Sequence, residues 1–443
     1  MFSQKLLVRA IALTFLLPAA AKANDSNELE ALRAEIQHMK QSYEARIQTL
    51  ESRLHNTEAV AGEAGKKAEE ASVQASARPT SSNAFNPNIS LILSGTYADR
   101  SQDSNYHITG FQAGGEIGPG TRGFNLGESE LGVYASIDAN FYGGLNLALA
   151  PDNSVGVEEA FIQTTSLPFG ATIKAGRFFS GVGYINEQHA HTWDFVDNPL
   201  AYQAFLGNQM GADGVQVKWL APTDLFMELG AEYGSAGRDK NGGGAGSVFA
   251  HVGGDVGVSN SWRAGLSYLQ TSPEARASND LDAAGTYVAN EFTGTSKVWI
   301  ADFVWKWAPN GNASNTSLKL QGEYLNRRES GGLAVDGAAA EHYSASQSGW
   351  YAQAIYQFMP HWRTGLRYDQ LDSGRIDYGI NTAGLDNTSY DPQRISLMFD
   401  YSPSEFSRLR LQLSRDESRQ DATDNQIFIQ YQMSLGAHTA HKY

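Results

Sequence analysis

From residue 85 onward the chain alternates apolar and polar side chains with a period of two, in windows of about ten residues. Leu409, Leu411 and Leu413 alternate with Arg408, Arg410 and Gln412, and Trp362, Thr364, Leu366 and Tyr368 with Arg363, Gly365 and Arg367. Ile427, Ile429, Tyr431, Met433 and Leu435 make a further apolar face, as do Trp299, Ala301, Phe303, Trp305 and Trp307. Period two is the signature of a strand, whose successive side chains point to opposite sides. A soluble sandwich turns such an apolar face toward a core. A closed barrel in a bilayer turns it toward lipid and its polar face toward a wet lumen, because only closure satisfies every backbone group in hydrocarbon.

The number and spacing of the windows separate these two folds. Strands are expected near 88–98, 128–138, 142–150, 155–165, 170–179, 213–221, 224–235, 246–257, 260–271, 295–308, 315–327, 347–358, 361–371, 393–402, 406–415 and 425–435, sixteen in all. Connections after even-numbered strands are tight, as at Asn140-Phe141, Pro222-Thr223, Ser259 and Met359-Pro360. Those after odd-numbered strands are mostly long: 99–127, 180–212, 272–294, 328–346 and 372–392, with Pro151–Ser154 a short exception. Alternation of short and long connections belongs to outer-membrane barrels, and a sandwich has no reason to show it. The expected fold is an all-β membrane barrel of about 16 antiparallel strands, preceded by an α-helical coiled coil.

The segment before the barrel supports that location. A basic start, an apolar run over 10–20 and the pattern Ala21-Lys22-Ala23 predict a signal peptide over 1–23, cleaved before Asn24. Leu29, Leu32, Ile36, Met39 and Tyr43 then form a heptad seam, continued after one stutter by Ile47, Leu50 and Leu54, so a coiled coil is expected over 24–58. Its narrow stripe needs partner helices, most naturally in a trimer; the alternative is a helix lying on another surface. Ala, Gly, Glu, Lys and Ser over 59–84 mark a linker, and 85–443 the barrel.

Zero cysteine excludes disulfides, thiolate zinc sites and cysteine nucleophiles, and a net charge of −15 argues against a nucleic-acid partner. Gly-x-Ser-x-Gly is absent, no phosphate loop opens a helix, and His107 and His251 lack recognisable partners, so no enzyme is expected.

Three stretches carry a family resemblance: 120–130 (GTRGFNLGESE), 174–181 (KAGRFFSG) and 188–197 (QHAHTWDFVD), with 433–438 (MSLGAH) at the end. They resemble a proteobacterial outer-membrane family of sixteen-stranded porins preceded by a periplasmic coiled coil, whose members are often labelled porins or zinc-regulated, TonB-dependent-like receptors. The receptor label fits poorly. TonB-dependent receptors resemble 22-stranded barrels with a large globular plug, whereas only a helix and a linker precede Phe85. The resemblance implies a porin of the bacterial outer membrane, with its helix in the periplasm. It also implies lipid and lipopolysaccharide around the barrel, a homotrimer, and barrel-assembly machinery that reads the C-terminal strand, with the terminal aromatic Tyr443 part of that signal.

In such porins the connection after the fifth strand folds inward. Here that connection, 180–212, carries Trp193, Phe195, Tyr202 and Phe205, which are costly to leave in water; the acids Glu187, Asp194 and Asp197, with Asp213 just after it, would put negative charge there. Opposite it, the polar faces of late strands offer Arg363, Arg367, Arg394, Arg408 and Arg410, and an acidic loop facing an arginine ladder sets up a transverse field. The alternative is that these arginines lie near lipopolysaccharide or pair with Asp369 and Asp400. His189 and His191, two apart and so on one face if on a strand, are a candidate zinc pair that Glu187 or Asp194 could complete, with His438 and His441 a looser cluster. The expected function is passive diffusion of small hydrophilic solutes or ions, with no resident cofactor beyond transient zinc. The alternatives are an uptake channel or receptor for divalent metal, and a structural barrel tethered by its coiled coil.

Overall fold

The computed structural model describes residues 87–436, apart from 103–105, 151–153, 237–243, 384, 386–388 and 421, together with Gln37, Lys40 and Gln41. The chain divides into two units, 1–84 and 85–443. In the first, Gln37, Lys40 and Gln41 are helical and exposed. The signal peptide, the heptad seam, the linker and the tail bearing His438, His441 and Tyr443 lie outside the described residues.

The second unit consists mainly of strands. The early ones are β1 (Asn88–Arg100), β2 (Gly123–Leu126), β3 (Ser129–Ser136), β4 (Phe141–Leu149), β5 (Val155–Thr164), β6 (Ala171–Phe179), β7 (Gly211–Leu220), β8 (Phe226–Ala236) and β9 (Ala245–Val256). There follow β10 (Asn260–Thr271), β11 (Arg276–Leu281), β12 (Tyr287–Trp307), β13 (Ser317–Val335), β14 (Glu341–Met359), β15 (Trp362–Asp377), β16 (Gln393–Ser404), β17 (Ser407–Arg419) and β18 (Ala422–Gly436). They form one antiparallel sheet that closes on itself, β18 pairing with β1 from Ser90 opposite Gly436 to Arg100 opposite Gln426. β2 and β3 lie on the same neighbour, β1, and are one stave interrupted at Gly127 and Glu128. β10 and β11 likewise share the neighbour β12. The barrel therefore has sixteen staves, as the alternating windows predict.

Its polarity is inverted. Along β17, Leu409, Leu411 and Leu413 are exposed while Arg410, Gln412 and Ser414 are buried inside. β18 repeats the pattern, with Ile427, Ile429 and Tyr431 outside and Phe428 and Gln432 inside. Burying such a side chain is worth roughly 1.5–3 kcal/mol, so a dozen left half-wet forgo on the order of 10 kcal/mol, comparable with a domain's entire net stability. This exterior calls for lipid.

The strands differ from expectation at the long-connection end. Much of 272–294 and 328–346, and the start of 372–392 up to Asp377, is strand rather than loop, because β12 to β15 extend past the apolar windows. Their extensions enclose a second apolar cluster of Val288, Phe292, Leu333, Tyr343, Ala345, Tyr378 and Leu385. Glycines and serines such as Gly331, Gly332, Ser344 and Ser346 hide this from the period-two pattern.

Candidate functional site

The connection from β6 to β7 turns into the barrel. Its helix α1 (Leu200–Leu206) has all seven residues buried. The helix packs with Val182, Tyr184 and Trp193 of the same connection against wall side chains that include Ile300, Leu325, Tyr351 and Leu371. α1 begins at Pro199 without a side-chain cap of its own. Asp369 on β15 accepts the Leu200 N–H at 3.0 Å instead, so the wall caps the helix. Glu323 on β13 holds the start of the connection: it accepts the N–H groups of Tyr184 (3.0 Å) and Ile185 (3.3 Å) and the hydroxyls of Tyr202 (2.8 Å) and Tyr351 (2.6 Å).

A second connection also enters the lumen. Between β1 and β2, Ile108 and Phe111 are buried in the same cluster as α1. The two connections cross at Gly115 and Gly207, both at positive φ; a Cβ on Gly115 would stand 2.3 Å from the Gly207 carbonyl oxygen. Sequence reasoning missed this second inward segment. Ile108 and Phe111 inside a glycine-rich connection were the available signal.

The arginines expected on the lumenal wall are there, and they touch the inward connection. Arg367 and Arg394 meet Asp197 at 2.8 and 2.7 Å, and Arg363 meets Asp194 at 3.3 Å, with Lys319 also on Asp194. Arg394 donates to the Asn198 carbonyl (2.7 Å), Arg367 to that of Asp197 (2.7 Å), Arg410 to that of Trp193 (2.8 Å) and Arg408 to that of His191 (2.9 Å). They also touch wall acids: Arg410 meets Asp400 at 2.8 Å and Arg367 meets Asp369 at 3.0 Å. The acidic loop and the arginine wall are thus in direct contact, where an open transverse field was expected. Burial alone would raise the Asp197 carboxyl, but Arg394 and Arg367 outweigh it and bring its pKa down to about 2; Lys319 and Arg363 likewise hold Asp194 well below the usual carboxylate range.

Beside this clamp lies a cavity of about 1740 Å³. Glu187, His189, His191, Asp194, Arg363 and Arg408 line it, whereas Asp197, Arg367, Arg394 and Arg410 sit behind it. Its lining includes Thr165, Leu167, Ser404 and Phe406 from tight turns, so it opens at the tight-turn end. Asp213 is a correction: it stands on β7, half exposed and forked onto Arg177 at 2.7 and 2.8 Å, because the strand starts at Gly211 and carries it out of the connection.

The histidines are brought together, though not on a strand. A short turn over Ala190–Thr192 follows His189, and the two imidazoles stack with centroids 5.8 Å apart. The expected carboxylates do not join them, since Glu187 pairs with Lys218 at 2.6 Å and Asp194 with Lys319 and Arg363. Wall acids replace them. His189 Nδ1 lies 3.1 Å from Glu158 and 3.4 Å from Glu130, its Nε2 lies 3.1 Å from Glu159, and His191 Nδ1 lies 2.8 Å from Glu130. Two adjacent glutamates reach inward together because β5 slips by one residue here: Asn146 faces Glu159 while Leu147 faces Val157. A bulge of this kind turns a side chain that alternation would send outward. Sequence reasoning passed over Glu130, Glu158 and Glu159 because strict alternation sends Glu158 to the lipid. Two further histidines weighed in the sequence have neighbours: His251 Nδ1 lies 3.2 Å from Glu228, and the His107 ring meets that of Tyr287 edge-on at 5.5 Å.

No family model matches the chain. An uncharacterized protein of Aquifex aeolicus (strain VF5) is 32% identical over 398 residues, covering 82% of this chain and 81% of that protein. Among solved structures, a loop L8 deletion mutant of OmpT, an outer membrane protein of Vibrio cholerae, superposes with a TM-score of 0.52 at 12% identity, over 79% of this chain and 99% of that one. The trimer form of the same protein gives 0.51 at 12% identity over the same shares. Salmonella typhi OmpF in complex with daunomycin gives 0.50 at 14% identity, over 80% of this chain and 99% of that one. At these identities the likeness is one of fold, that of outer-membrane barrels.

Proposed function

The chain belongs to the same family as the Aquifex aeolicus protein, and we propose that it is a channel of the bacterial outer membrane through which small hydrophilic solutes or ions diffuse. The observation that carries this reading is the inverted barrel, apolar outside and charged inside, with a cavity of about 1740 Å³ bounded by an inward segment. Its finer parts are those of the coiled-coil porins that the sequence resembles. The tight-turn end and the N-terminal helix face the periplasm, lipid and lipopolysaccharide surround the barrel, and the C-terminal strand is read by the assembly machinery. The heptad seam favours a homotrimer, and OmpT of Vibrio cholerae, a barrel of like fold, also has a trimer form.

Full-length protein in planar bilayers tests the reading. Stepwise, ohmic current is expected. Folded, inserted protein that never conducts would leave the structural barrel instead. Uptake of a divalent metal is the second reading, and the histidine–glutamate cluster on the cavity wall favours it.

A further inference from the structure

Where the inward segment meets the wall, Glu130, Glu158 and His189 bring one ligand atom each within 4.8 Å of one another. The edges from His189 Nδ1 measure 3.1 Å to Glu158 Oε2 and 3.4 Å to Glu130 Oε2. Two ligands at zinc-like bond lengths of about 2.0–2.2 Å on a tetrahedral centre stand roughly 3.4 Å apart. These spacings are those of a ligand shell.

The surroundings are arranged as for a metal. Glu159 takes His189 Nε2 at 3.1 Å, the carboxylate–histidine arrangement that leaves Nδ1 bare for a cation. His191 holds the other oxygen of Glu130 at 2.8 Å. The bulge in β5 supplies Glu158. An independent sign is Asn146, only 2% exposed. Its amide nitrogen lies 2.9 Å from Glu130 Oε2, 3.2 Å from Glu158 Oε2 and 2.9 Å from His189 Nδ1. Two N–H bonds face three acceptors, while the amide oxygen is buried without a hydrogen-bond partner. Turned half round, that oxygen faces the same three atoms and becomes a fourth ligand.

We infer that Glu130, Glu158, His189 and the Asn146 amide oxygen form a site for a divalent first-row transition cation, reached from the cavity and linking the inward segment to the wall. The mixed imidazole and carboxylate set suits zinc, cobalt or manganese rather than a soft monovalent ion. Glu159 and His191 are positioning residues.

Full-length protein, chelator-stripped and refolded in detergent, is titrated with cobalt chloride and followed by visible absorption, then back-titrated with zinc chloride. About one equivalent of cobalt is expected, displaced by zinc. His189→Ala and Glu158→Gln should each weaken binding at least tenfold, and Glu159→Gln roughly 10–100-fold through the imidazole it orients. Wild type that takes up neither cation at millimolar concentration overturns the site, leaving the imidazoles as counter-charges to the glutamates. Wild-type affinity in Glu158→Gln, which keeps the side chain's size, overturns it equally and decides the matter if His189→Ala fails to fold. Uptake is read on folded protein whether or not it conducts, so failure here is separable from failure of the channel reading.

Discussion

Arg394 on β16 meets Asp197 on the inward segment at 2.7 Å and reaches past it to Asp369, at 3.6 Å, the residue that caps α1. One guanidinium, 1% exposed, thereby ties the wall to the connection at Asp197 and the Asn198 carbonyl, and braces the wall acid that caps the helix. Removing one partner of a buried pair costs about 3–5 kcal/mol when the other charge is left uncompensated, and less here, because Arg367 still meets Asp197 at 2.8 Å. The closed sheet does not depend on this pair. Arg394→Ala should therefore leave a heat-modifiable barrel while releasing the connection. Single-channel conductance should rise by half or more, and limited proteolysis should cut within 180–210; unchanged conductance and protection would mean that the clamp holds without this arginine.

Acid should act on the same clamp. The folded-state pKa of Asp197 is depressed to about 2, against about 3.9 for an ordinary aspartate, so its ionised form stabilises the closed arrangement. A depressed carboxyl contributes fully above its unfolded pKa and loses that contribution as pH falls through the folded value. Conductance should stay flat from neutrality to about pH 4 and change between about 4 and 2. A transition centred near pH 6 would assign the closure to other groups.

The crossing of the two inward connections offers a steric test. Gly115 has φ +77 and faces the Gly207 carbonyl oxygen at 2.3 Å from a built Cβ. A side chain there bears about 1–2 kcal/mol of left-handed strain, and the contact is with backbone, which cannot rotate aside. Gly115→Ala should separate the connections and make open-channel current noisier, with little change in barrel melting. Quiet wild-type current from this variant would show that the crossing yields elsewhere.

The two units give a further prediction. The barrel ladder closes β18 onto β1 within the second unit. Deleting residues 24–82 should leave a heat-modifiable barrel and weaken the proposed trimer on native gels; failure of the shortened chain to fold would show that the barrel needs its N-terminal unit.

Much of this architecture is legible in the sequence because one physical rule, period two with inverted polarity, repeats along most of the staves, as in β13, β14, β17 and β18. Arg410 between Leu409 and Leu411 already declares which side is wet. What escaped is what breaks the rule. Glu158 faces inward only because of a bulge, which is a property of the pairing between β4 and β5 rather than of either strand alone. Ile108 and Phe111 lie in a connection, where no periodicity reports burial. Glu187 and Asp194 were natural partners for His189 by chain distance, but Lys218 and Lys319 from the wall reach them first.

Arg408 and Arg410 look equivalent in sequence, two apart on one face, and the structure separates them. Arg408 lines the cavity, its guanidinium on the His191 and Trp193 carbonyls and Gln432. Arg410 is 1% exposed and meets Asp400 at 2.8 Å behind the lining. A charge on the cavity wall acts on permeating ions, whereas one neutralised by a buried carboxylate acts mainly on stability. Arg408→Ala should shift the reversal potential in a salt gradient toward cations and leave melting nearly unchanged. Arg410→Ala strips Asp400 of one of its two arginines, the other being Arg363. It should lower the melting temperature with a smaller shift in selectivity. Equal reversal potentials for both variants and wild type would place this face of the cavity outside the conducting path.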